Sequence, residues 1–426
     1  MGWIVTSFIL TSAIFIVPFG RLADIYGRRK IFLIGLVSVT IASLFATFAT
    51  SAGQLIIFRV IQGISSAMIF GTSVAILTSS YPPRDRGRVL GINVSAVYVG
   101  LAAGPFIGGI ITNNLGWRYI FIFSVLLGII GSLLALWKLT EEWEPAGKEK
   151  FDLTGSVIYA IMLLSLMYGL SLLPSINGGI FLLGGILGLV IFIWWESNNK
   201  SPVLNIRMFR TNLVFTMSNL AALINYSATF AISFLLSFYL QYIKGFDPQT
   251  AGLILIAQPL VQAILSPVAG KLSDKIEPGI VASSGMGLCA IGLIIFNFLT
   301  PDTSMIYVIV GLLIMGIGFA LFSSPNTNAV MSSVEKRFYG VASGMLGTMR
   351  LTGQMMSLGI AMLIFSIFIG RVQITPEYFG ALMSSIKAAF IVFAILCIIG
   401  IPLSLKRGNM RQDKPPMAAQ NIKAQK

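Results

Sequence analysis

The chain has no histidine, only two cysteines and few charges. Without histidine, imidazole metal sites and His-dependent catalytic triads are excluded. Two cysteines allow one disulfide at most, and Cys289 and Cys397 both fall inside apolar runs, where packing accounts for them. Nowhere does the sequence gather a nucleophile, a base and oxyanion donors, so the chain is not expected to be an enzyme, and neither a metal nor another cofactor is expected. Charged residues make up 10% of the 426 positions and hydrophobic ones 56%. A soluble protein of ordinary composition carries about 25% charged residues. So little polar material cannot coat a globule in water, and lipid must bathe most of the surface.

Long apolar runs fill the rest of the sequence. A membrane-spanning helix needs roughly 20 apolar residues, and thirteen such stretches are read at 3–20, 31–50, 54–80, 88–112, 117–138, 153–174, 178–195, 212–241, 249–270, 279–299, 304–324, 339–369 and 381–405. Strands of a membrane barrel would be about 10 residues of alternating polarity, so the expected class is an all-α integral membrane protein. The first run lacks a basic leader and passes straight into charged residues, which is not the pattern of a signal peptide.

A net charge of +14 could point to nucleic acid, but its distribution does not. The great majority of the basic residues fall in alternate connections, among them Arg28, Arg29, Lys30, Arg84, Arg86 and Arg88, and in the tail after Pro402. The opposite connections and helix ends hold only Arg118, Lys244, Arg371 and Lys387. By the positive-inside rule the basic face is cytoplasmic. The expected location is the cell membrane, with the amino terminus outside and the carboxyl terminus inside. The polar tail is expected to be disordered.

The chain also repeats itself. Gly20-x-Leu22-x-Asp24 returns as Gly270-x-Leu272-x-Asp274, 250 positions on. Gly87, Gly91 and Gly100 return as Gly340, Gly344 and Gly353, and Gly63-Ile64-x-x-Ala67 as Gly316-Ile317-x-x-Ala320, each 253 positions on. Related offsets from separate segments indicate an internal duplication, with 153–195 inserted as a hairpin between the copies.

Four segments carry a family resemblance. They are Gly20-Arg21-Leu22-Ala23-Asp24-Ile25-Tyr26-Gly27-Arg28-Arg29-Lys30; Arg59-Val60-Ile61-Gln62-Gly63-Ile64-Ser65-Ser66-Ala67; Gly100-Leu101-Ala102-Ala103-Gly104-Pro105-Phe106-Ile107-Gly108-Gly109; and Gly340-Val341-Ala342-Ser343-Gly344 leading to Arg350. Together they resemble the major facilitator superfamily, in its fourteen-helix drug:proton antiporter branch. The resemblance implies two pseudo-repeated helical bundles around a central site, here with an amino-terminal bundle at 1–138, a loop and inserted hairpin at 139–200, a carboxyl-terminal bundle at 201–405 and a basic tail at 406–426. It also implies one more helix ahead of Gly20 than this sequence shows. A misassigned start, a truncated gene or a thirteen-helix variant would each account for that.

The resemblance assigns roles, each beside a plainer reading. It makes Gly20, Asp24, Gly27, Arg28 and Arg29 a cytoplasmic gate latch, with Asp274 as a degenerate copy; the plainer reading is a solvated basic loop. Gly20 and Gly27 are expected to permit tight chain reversal with φ > 0. Arg59 and Gln62 would join proton transfer, or Arg59 would merely snorkel to the membrane surface. Arg350, nearer mid-span, would serve function or a buried structural pair. Gly100, Gly104 and Gly108 share one helix face and permit close approach of a neighbouring helix, with Pro105 bending the rod and Gly109 completing the antiporter pattern; ordinary small-residue packing explains them equally.

Every carboxylate falls at a span end or in a connection, so no acid stands mid-span to carry a proton. Polar residues within spans are the candidates to line a cavity: Tyr98, Asn225, Gln258, Gln262 and Gln354, with Asn219, Tyr226, Asn326 and Asn328 beside them. Residues 206–210 are expected to lie along the membrane interface as a short amphipathic piece. The reading that follows is a monomeric secondary transporter in the lipid bilayer, exchanging protons for amphipathic small molecules and binding no nucleic acid. An uptake carrier for an anionic nutrient and a transport-inactive truncated protein are the alternatives.

Overall fold

In lipid a backbone must satisfy its own hydrogen bonds, which helices do segment by segment. The computed structural model describes residues 2–146, 149–370 and 375–407, and among them no strand occurs. The first bundle contains α1 (Gly2–Tyr26), α2 (Arg28–Thr47), α3 (Ala52–Ser80), α4 (Arg86–Asn114) and α5 (Arg118–Lys138). A hairpin follows, α6 (Leu153–Ser171) and α7 (Ile176–Asn198), and then a short α8 (Ile206–Thr211). The second bundle contains α9 (Leu213–Thr229), α10 (Ile232–Phe238), α11 (Pro248–Leu255), α12 (Ala257–Lys275), α13 (Pro278–Asn297), α14 (Met305–Ser332), α15 (Tyr339–Phe368) and α16 (Phe379–Leu405). Counting α9 through Ile243 as one run and α11 with α12 as another, 13 described segments are long and apolar enough to cross a membrane. That is the number the apolar runs predict.

The duplication is visible in which helices touch. In the first bundle α1 packs on α3, α3 on α2 and α2 on α5; in the second α12 packs on α14, α14 on α13 and α13 on α16. The match extends to single carbonyls. A Cβ on Gly63 would meet the Phe8 carbonyl oxygen at 2.7 Å, and one on Gly316 would meet that of Gln258 at 2.7 Å. Phe8 and Gln258 are themselves 250 positions apart. Between the bundles α1 crosses α15 and α12 crosses α4. The hairpin leans on α1 and α15 through α6, where the Tyr159 hydroxyl meets that of Thr348 at 2.7 Å.

Two expectations need correction. Residues 20–30 are not a loop: α1 continues to Tyr26 and only Gly27, at φ 111°, separates it from α2. The polar residues there do not end the helix because buried partners receive them. Gly20 is accordingly helical and makes no turn; a Cβ on it would overlap the Gly340 carbonyl oxygen, so closeness rather than φ requires glycine. Ile206, Met208 and Phe209 of α8 pack against the buried core while Arg207 and Arg210 are exposed, so the piece is two-faced. The tail beyond Arg407 and the span-end residue Arg371 lie outside the described residues.

Candidate gate and cavity

Two carboxylates tie the bundles together at one end of the molecule. Asp24, fully buried near the end of α1, accepts the backbone N–H of Gly340 at 3.0 Å and of Val341 at 3.1 Å, the first turn of α15. The unpaired amides and positive dipole end of a helix start are a natural seat for a carboxylate. Arg28 completes this clamp. Its Nε and Nη2 donate to Asp24 at 2.9 and 2.6 Å, its Nη1 to Ser79 at 2.6 Å, and Nη2 also to the Lys336 carbonyl at 2.5 Å. The Tyr339 ring lies 5.3 Å from the guanidinium.

Asp274 repeats the arrangement with the bundles exchanged. From α12 it accepts the N–H of Gly87 at 2.7 Å and of Arg88 at 2.9 Å, the first turn of α4. Asn328 also donates to Asp274, at 3.4 Å. The glycines complete each crossing, since a Cβ on Gly87 would overlap the Gly270 carbonyl, and one on Gly344 would meet the Ile16 carbonyl at 2.7 Å. The copy is thus degenerate in sequence and the same in construction.

Arg29 reaches the Leu139 carbonyl and faces away from the Asp24 clamp. Glu142 accepts the N–H of Arg29 at 2.8 Å and of Lys30 at 3.1 Å, capping α2. Arg21, beside the first clamp, bonds Glu149.

A cavity of about 870 Å³ lies between α4, α9–α12, α14 and α15. Asn113, Asn114 and Gln249, exposed residues in its wall, belong to the helix ends remote from the clamps, so it opens at that end. Phe106, Phe230, Phe234, Leu253, Ile256 and Phe319 give it an apolar wall, and among the described residues no charged side chain lines it. Such a wall with a few convergent polar groups is the usual make-up of a small-molecule site.

Of the candidates read from sequence, Tyr98, Gln258 and Gln354 line the cavity. Asn225 does not: it is wholly buried in the second bundle, off the lining. Gln262 is also buried off the wall, where its Nε2 donates to Ser323 at 3.3 Å. An amide can be buried between packed helices as well as stand in a cavity wall, so its occurrence in a span does not distinguish the two. Tyr226, by contrast, is in the wall, with its hydroxyl 3.4 Å from that of Ser323. Sequence reasoning missed the wall's phenylalanines, which have no distinguishing signal in a chain so rich in apolar side chains.

Arg59 is half-buried. It donates to the Ile4 carbonyl at 3.2 Å and to Gln62 at 3.2 Å, and Gln62 donates to Ser43 at 2.9 Å. This chain lies within the first bundle. Arg350 lies apart from it, beside Tyr226.

The glycine face expected to receive a neighbouring helix is open. A Cβ on Gly100, Gly104, Gly108 or Gly109 would meet nothing within 4 Å. Spacing shows what a face permits, whereas contact needs a partner, and no described helix lies along this half of α4. The Pro105 side chain lies outside the described residues.

Comparisons with known proteins agree with this architecture. The family model described as Major Facilitator Superfamily matches residues 1–358 and 218–424. The riboflavin transporter RibZ of Clostridioides difficile is 27% identical over 410 residues, covering 95% of this chain and 88% of that protein. The cephamycin export protein CmcT of Amycolatopsis lactamdurans is 32% identical over 371 residues, covering 84% and 76%. Among solved structures, the human organic anion transporter MFSD10 (TETRAN) superposes with a TM-score of 0.72 at 15% identity, over 95% of this chain and 83% of that one, a likeness of fold alone. With the family model matching across both bundles, the chain belongs to the major facilitator superfamily.

Proposed function

We propose that this chain is a secondary active exporter that moves amphipathic small molecules out of the cell by alternating access, in exchange for protons. The observation that carries the reading is a large apolar cavity open at one end and closed at the other by two reciprocal carboxylate clamps. Such a molecule binds cargo from one side at a time. Opening the other side requires both helix starts to give up their carboxylates. The clamped end is the cytoplasmic one in this reading, as the basic residues around it favour. The bundles at 1–138 and 201–405 rock against each other, and the hairpin within 139–200 rides on α1 and α15.

Asp24 and Asp274 are the carboxylates whose charge holds the gate shut. Protonating them weakens the bonds to the amides, which supplies a route by which a proton gradient biases the two states. The curated relatives support the direction, since several are named for drug resistance or export. The test is accumulation of a fluorescent amphipathic dye in cells with and without the chain. Expression lowers accumulation, and an uncoupler or Asp24→Asn restores it. Equal accumulation with and without the chain overturns the reading.

A further inference from the structure

Arg350 is a half-buried cation that neither clamp explains. Arg21 bonds Glu149 and Arg28 bonds Asp24, so each of those charges has an opposite beside it. Arg350 takes part in none of the ion pairs among the described residues, and its Nε has no hydrogen-bond partner. Its guanidinium stands 5.2 Å from the Tyr226 ring centroid, beside the Tyr226 hydroxyl, and Tyr98 approaches it from α4. Both tyrosines belong to the cavity wall, as does Gln354 one turn further along α15. Gln262 and Ser323 lie within hydrogen-bonding reach of Tyr98. The positive charge therefore sits directly behind the blind end of the cavity, screened from it by two phenols.

A cation within a membrane span is costly, and an aromatic face offsets only part of that cost. A carboxylate from the protein would neutralise it, and among the described residues none pairs with it. The geometry points to a cargo that brings the missing charge: an amphipathic organic anion, its head group held by Arg350 with the hydroxyls of Tyr98 and Tyr226, its apolar body against Phe230, Phe234 and Phe319. This rests on the cavity being the transport site and names the class of molecule it takes. A dehydrated organic cation would meet repulsion at the same place, with no acid in the wall to offset it.

The experiment uses the full chain in lipid nanodiscs and three matched fluorescent probes: anthracene-9-carboxylate, anthracene-9-carboxamide and 9-(aminomethyl)anthracene. The carboxylate binds at least about tenfold more tightly than the amide, and the amine binds least. Arg350→Gln equalises carboxylate and amide while leaving amide affinity unchanged, and Arg350→Lys keeps part of the preference. A lost fold would remove amide binding as well, and in that event the ranking in the unaltered chain decides. Amide or amine binding as tight as carboxylate overturns the inference, as does a carboxylate preference that survives Arg350→Gln. The same probes are followed in cells with and without the chain: if the amide and amine are exported but the carboxylate is not, the inference falls and the export reading stands. If no probe is bound or moved, both fall.

Discussion

The two crossing helices α4 and α15 are copies of one another, yet their far halves have different surroundings. Near the clamps they match: Gly87 and Gly91 lie against α12 as Gly340 and Gly344 lie against α1. Further on they diverge. A Cβ on Gly353 would meet the Leu223 carbonyl at 2.7 Å and the Tyr226 Cβ at 2.9 Å, both on α9, whereas one on Gly100 would meet nothing. In the second bundle α9 packs against both α15 and α16, and among the described residues no helix holds the corresponding place beside α4 and α5. A repeated sequence therefore does not guarantee a repeated environment. The same glycine is an interhelical contact in one copy and an open surface in the other, and much of the cavity wall is the surface that this leaves.

The comparison breaks most sharply at the shared half. Gly340→Leu sets a side chain into the Gly20 backbone, and overpacking beyond about 3 kcal/mol should abolish efflux and lower the thermal midpoint; Gly87→Leu should do the same in the other crossing. Gly353→Leu comes next, costing about 1–3 kcal/mol against α9 and measured by thermal unfolding in nanodiscs. Asp24→Asn loses charge-assisted bonds worth about 1.5–3 kcal/mol and should open the clamped end to thiol labelling at a nearby introduced cysteine. Asp274→Asn, at a carboxylate only partly buried, should open it less. Gly104→Leu is the smallest, a change of no more than about 1 kcal/mol, since it gains helix propensity and meets no neighbour. Equal damage from Gly104→Leu and Gly353→Leu would show that the open face is occupied in the working protein.

The frame of the molecule was legible because lipid makes span length and basic-residue alternation nearly compulsory, and because glycine spacing survived duplication. Asp24 as a latch residue was expected from its motif, but its partners at Gly340 and Val341 were not. The course of residues 20–30 could not be read. Arg21 and Asp24 look like loop residues until Glu149 and the first turn of α15 are known to receive them. Nor could the sequence separate Asn225, packed between helices, from Gln258, which faces the cavity. Both are amides in apolar runs, and only the neighbour decides.

Gly27 has a mechanical consequence. As the sole residue between two long helices, gripped by the Trp143 carbonyl on the following Arg28 N–H and by Glu142 on the next two, it leaves no slack. In the proposed gate, a tilt of α2 would be delivered to α1 as torque about that point, and with it to the carboxylate one turn back. The second helix would then be a lever arm for the proposed bolt.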